Sequence, residues 1–225
     1  MSDIPQNSEQ IKREAEAAGE RSGDLRATVR DMTLRALKSR ELSLSEVREV
    51  VRAVSEGVSM GLGKRGGELK GAAPEAFAGL DQAVRKSAEA TKLAAQQLLS
   101  QGKDLTAQDI KPVLEDLKRL ESEMLDTLGQ AADRAGSRVK EAFTELLSHA
   151  RRTGTDTGRQ VADTISEFSG RAAPALKAGA ADSVAAAREL SKRIAVAASG
   201  ILSGMADALH ERATGTQKTD QPKAD

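Results

Sequence analysis

The sequence contains no cysteine, tryptophan or tyrosine, and its aromatic residues are Phe77, Phe143 and Phe168 alone. Without cysteine there is no disulfide, no thiolate nucleophile and no cysteine-based metal site. This suits a reducing compartment, so a cytoplasmic location is expected, with peripheral attachment to a granule or membrane as its variant. Alanine is the largest component of the 39% apolar content. Alanine buries little area, so an alanine-rich helix face gains little at ~25 cal/mol per Å². Long helices packed closely on small side chains are therefore expected, not a core of large residues.

Charge of one sign is also lacking. Lys plus Arg number 34 and Asp plus Glu number 34, giving a formal net charge of zero. A chain that works by neutralising phosphates carries a basic excess, so no nucleic-acid partner is expected. No run reaches the roughly 20 apolar residues of a spanning helix. The first residues, Met1 to Asn7, have no basic region followed by an apolar run, so no secretory signal is expected.

What is present is helical periodicity. Charged residues make up 30% of the chain, as amphipathic helices with one solvated face require. The expected fold is all-α: an elongated bundle of long, alanine-rich amphipathic helices, hairpin-like or coiled-coil-like, with disordered termini. Residues 1–23 read as a mostly disordered segment, within which Ile11–Arg21 reads at most as a weak helix, since it has almost no apolar stripe. Residues 24–152 read as a helical region with two similar helix–turn–helix units, residues 153–212 as a C-terminal helical region, and 213–225 as a disordered tail. Within 24–152, Ser43 and Glu46 have capping-box spacing. Leu44, Val47, Val50, Val51, Val54 and Val58 follow as a stripe. A loop is expected over Gly63–Gly71, and Pro74 suits the first turn of the next helix. Val113, Leu117, Leu120, Met124 and Leu128 form a coiled-coil-like seam, with Pro112 in the early turns. Arg152–Gly158 reads as a break.

Two internal echoes accompany this pattern. Leu42–Val51 aligns by chemical class with Leu105–Leu114, and Ala72-Ala73-Pro74 with Ala172-Ala173-Pro174. They point to repeated helical units and to no ligand.

Catalytic chemistry has no visible carrier. His149 and His210 are the only histidines, and neither has a second histidine at ligand spacing. Glu121, Glu123 and Glu145 read as parts of solvated helix faces. Gly61–Gly67 resembles a phosphate loop superficially but lacks the Gly-Lys-Ser/Thr ending and a preceding strand. The chain is read as non-enzymatic, with no cofactor and no metal.

The most apolar window is Ile194–Ala206, which has no charged residue. It is too short to span a bilayer. Ile194, Ala198, Gly200, Ile201, Leu202, Gly204 and Met205 are the candidate interaction surface. Gly57-x-x-x-Gly61 and Gly200-x-x-x-Gly204 have the spacing that lets helix backbones approach closely, although ordinary glycine in an alanine-rich chain is the preferred reading of both. The stretches Phe77–Gln97 and Glu141–Phe168 resemble bacterial phasins, the helical coats of storage-polymer granules, and late-embryogenesis-abundant proteins. The first resemblance implies an oligomerising surface coat. The expected function is therefore helix-mediated association, with a second copy of the chain or with a hydrophobic granule or membrane surface. The alternative is a partly disordered stress protectant.

Overall fold

Helices begin where a side-chain oxygen can satisfy free backbone amides. Asn7 accepts from the Gln10 amide at 2.8 Å, and the Gln10 side chain returns the bond to the Asn7 amide at 3.2 Å. Asp24 accepts from the Ala27 amide at 2.9 Å, and Ser43 from the Glu46 amide at 3.3 Å. In the computed structural model, which describes residues 7–21, 23–65, 69–100, 107–172 and 184–215, these caps open α1 (Ser8–Glu20), α2 (Leu25–Lys38) and α3 (Leu44–Lys64). Five more helices follow: α4 (Leu69–Ser100), α5 (Ala107–Arg134), α6 (Ser137–Thr153), α7 (Asp156–Ala172) and α8 (Val184–Gly215). Gly136 and Gly154, at φ 103° and 78°, hold the left-handed backbone that the two short connections around α6 need.

The all-α class is as the periodicity predicts. The apolar stripes close on one another in one continuous core that takes in Val50, Val54 and Val58 of α3, Leu80 and Val84 of α4, Leu117 and Met124 of α5, and Phe143 of α6. The most extensive pairings skip a helix: α1 lies on α3, α2 on α4 and α3 on α5, while α8 packs on α4, α5 and α2.

Small residues set these distances. A methyl group on Gly61 would stand 2.1 Å from the Glu16 carbonyl oxygen, and one on Gly57 2.1 Å from that of Lys12. From the other side, a methyl on Gly19 would stand 2.7 Å from the Val58 carbonyl oxygen. The backbones of α1 and α3 thus touch along a seam that only glycine permits. Gly79 plays the same part between α4 and α2, where a methyl would meet the Arg26 carbonyl oxygen at 2.4 Å. The Gly57/Gly61 pair, expected to be ordinary glycine, is a packing device.

Four further expectations change. Residues 8–20, expected to be mostly disordered with at most a weak helix over 11–21, form the firm helix α1, because Ile11, Ala15, Ala18 and Gly19 need only a narrow stripe to dock at so short a distance. Charge flanks that seam: Lys12 pairs with Glu56 at 3.1 Å, and Lys64 reaches both Glu16 and Glu20, which hold its ammonium well above the ordinary lysine range. The expected loop over Gly63–Gly71 is shorter, and Pro74 lies inside α4, not in its first turn. The expected break at Arg152–Gly158 narrows to Gly154 and Thr155. Residues 105 and 106 of the first echo, residues 173 and 174 of the second, and residues 216–225 of the tail lie outside the described residues.

Two predictions follow from the N-terminal docking. Gly61→Ala should lower stability by about 1–3 kcal/mol, as overpacking does, while Gly71→Ala in α4, which is exposed and meets nothing within 4 Å, should gain up to about 1 kcal/mol of helix propensity; urea unfolding distinguishes the two. At the start of α1, the Ser8 hydroxyl donates to the Glu49 carboxylate and holds it below the ordinary range, helped by Arg40 and Arg52 and opposed by burial. A carboxylate depressed in the fold stabilises above its unfolded pKa and loses that stabilisation as pH falls through its folded value. Ser8→Ala should therefore cost up to about 1 kcal/mol at pH 7, and the difference from wild type should vanish in acid, as read by chemical denaturation across pH.

Candidate functional site

The residues of the uncharged window divide between two faces of α8. Positions four apart share a face. Ile194, Ala198 and Leu202 form one such ridge and are buried in the chain's own core together with Leu190. They are not presented to a partner, which removes them from the expected interaction surface. Ile201 and Met205 are half-buried and pack against that core. Gly200 and Gly204 lie on the opposite face, with nothing within 4 Å of a methyl group at either position. Val196 heads this outer ridge at 51% exposure, the highest of the three exposed large apolar side chains among the described residues. Ala208 continues it and is also exposed.

The rotation of α8 is fixed by polar contacts to the α2–α3 corner. The Ser199 hydroxyl donates to the Lys38 carbonyl at 3.0 Å, and the Leu42 amide donates to the Ala195 carbonyl at 3.3 Å. Lys38 also reaches Asp207 at 3.4 Å. These bonds turn Ile194 and Ala198 inward and therefore Val196, Gly200 and Gly204 outward.

A second polar cluster surrounds the start of α7. Thr155 caps the helix by accepting from the Gly158 amide at 2.9 Å. Asp81 of α4 accepts from the amides of Asp156 and Thr157 at 2.9 and 3.0 Å, and the Thr157 hydroxyl donates to the Asp81 carbonyl at 3.1 Å. Glu121 of α5 accepts from both the amide and the hydroxyl of Thr155, at 2.9 and 2.8 Å. A helix N-terminus of this kind attracts anions, and here two carboxylates of the chain already occupy it. Sequence reasoning placed Glu121 on a solvated face and missed Asp81, Thr155 and Thr157. The Thr-Asp-Thr-Gly run carried a helix-start signal, but its tertiary partners lie tens of residues away in the chain.

The remaining sequence candidates are dispersed. Glu123 pairs with Arg48 at 3.1 Å. Glu145 and His149 line a shallow groove with Arg138, Glu141 and Arg152 between α6 and the first turns of α4. Gly61 is packed against α1, and residues 66 and 67 of the phosphate-loop lookalike lie outside the described residues. Among the described residues no three His, Asp or Glu side chains gather as a metal site, and no helix is long and apolar enough to cross a membrane.

Asp81→Ala leaves two amides at the buried start of α7 without acceptors. It should cost about 2–3 kcal/mol and raise amide exchange first in α7, whereas Glu121→Gln, which keeps an acceptor oxygen, should cost less. Hydrogen exchange resolved by segment checks the order.

No curated protein and no solved structure matches this chain. Residues 1–211 match the profile of a family described as a family of unknown function (DUF6781), and the chain belongs to that family.

Proposed function

We propose that this protein is a non-enzymatic helical protein that works by self-association, with the outer ridge of α8 as its contact. The observation that carries this is the face formed by Val196, Gly200 and Gly204, which is uncharged and exposed on a helix whose opposite ridge is anchored in the core. The chain supplies its own precedent, because Gly57 and Gly61, at the same spacing on α3, receive the backbone of α1. A second copy of α8, crossing the first at its glycines, would meet the same kind of surface. An isologous contact of this sort closes as a two-fold dimer.

Two observations favour this over the alternatives carried by the sequence. The large apolar side chains exposed among the described residues are Met60, Leu93 and Val196, a small set for a coat on a granule or membrane. The buried carboxylate of Asp81 and its neighbour Glu121 are engaged as helix caps, which supports a structural role for them over acid–base work.

Val196→Asp and Gly200→Leu change exposed positions and leave the core intact. Wild type should run as a dimer in size-exclusion chromatography with light scattering, and both variants should shift to monomer with unchanged helical circular dichroism. A wild type that stays monomeric at all concentrations, or variants that remain dimeric, would overturn the proposal.

A further inference from the structure

Between the α2–α3 connection, the middle of α4, the first half of α5 and α8 lies a cavity of about 320 Å³. That is the lower end of the range for small-molecule sites, about 300–1,000 Å³. Leu44, Val47, Val113, Leu117, Leu120 and Ile194 supply an apolar wall. Ser87, Thr91 and Asp116 interrupt it, and the first two are buried.

The two buried hydroxyls of this wall, Ser87 and Thr91, share one property; Ser43 and Ser191 lie at its less buried edge. Ser87 donates its hydroxyl proton to the Val84 carbonyl at 2.7 Å, and Thr91 donates to the Ser87 carbonyl at 2.9 Å. With their protons spent inside α4, both hydroxyls have only lone pairs left to offer. Asp116 adds a carboxyl group that has no hydrogen bond or ion pair among the described residues. Burial raises it above the ordinary carboxylate range; Arg119 on its own helix opposes this and Glu115 adds to it. The other charged groups of the lining are Glu41 from the α2–α3 connection and Lys192 from α8, both exposed. With Asp116 ionised, the three carry one net negative charge.

An apolar wall with acceptors and a net negative charge fits a hydrocarbon that ends in a cationic donor. An ammonium group has three protons to give and no lone pair. A carboxylate ligand would find a donor in the exposed Lys192 but repulsion from Asp116 and acceptor oxygens at Ser87 and Thr91, and a plain hydrocarbon would leave the half-buried Asp116 carboxyl uncompensated. We propose that this cavity binds a small aliphatic amine, with its ammonium group on Asp116 and the hydroxyl oxygens of Ser87 and Thr91 and its chain against the Leu117 and Ile194 wall.

The test compares n-hexylamine, 1-hexanol and hexanoate by calorimetric titration of the full-length protein at pH 7. Hexylamine should bind one per chain, roughly tenfold to a hundredfold more tightly than hexanol, as a hydrogen bond to a charged group implies. Its affinity should fall as pH is lowered through the raised range of Asp116, while that of hexanol should not. Asp116→Asn should abolish the preference for the amine, and Thr91→Val should reduce it, with circular dichroism verifying the fold of each. The preference among the three ligands is read on wild type alone, so it decides the matter even if a variant fails to fold. Absence of hexylamine binding, equal binding of hexanol or hexanoate, or an unchanged preference in folded Asp116→Asn would overturn the proposal.

Discussion

The distance between the backbones of α1 and α3 is the constraint on which the N-terminal half depends. Gly19, Gly57 and Gly61 remove three side chains from one crossing, so carbonyl oxygens of each helix lie where a methyl group of the other would be. At such a separation many weak atom–atom contacts replace the few large buried side chains that the composition withholds. The acidic residues of α1 then come within reach of Lys64, and Lys12 within reach of Glu56. Gly79 repeats the arrangement where α2 crosses α4. A chain nearly without aromatics builds its interior by bringing backbones together.

Buried polarity is managed by the same economy of parts. The start of α7 lies inside the bundle, where water is scarce and its free amides need acceptors. Asp81 and Glu121 reach it from two different helices and tie α4, α5 and α7 to one point. The same corner explains Gly158, since a methyl group there would stand 2.3 Å from the Glu121 carboxylate.

Local features were legible in the sequence, and relations between distant parts were not. The stripes of α3 and α5 could be read from spacing alone, and all their residues except the half-buried Leu44 are buried as that spacing requires. The Ser43 cap was equally visible, because cap and amide are three residues apart. The helix α1 was legible only as a weak one because its docking face is made of Ala15, Ala18 and Gly19, which look like nothing in a hydrophobicity pattern and matter only opposite Gly57 and Gly61. The window Ile194–Ala206 was found, but its division into an inner ridge and an outer one depends on Ser199 and Ala195 bonding to the α2–α3 corner, more than 150 residues away in the chain. The wall around Asp116 gathers side chains from four parts of the chain and had no signature in any one of them.

The skipping order of the helices bears on how the chain is made. In a string of hairpins, each new helix finds its partner immediately behind it. Here α1 must wait for α3, and α2 for α4, before either has its main docking surface. As the chain leaves the ribosome, a segment ending at α2 has an α1 notched by Gly19 and lined by alanine and an α2 lined by Leu25, Val29 and Met32, and neither has yet met its main partner. Closure of the longer loops costs entropy before any packing repays it. The N-terminal third is therefore committed to its native arrangement only when roughly the first hundred residues are free of the exit tunnel.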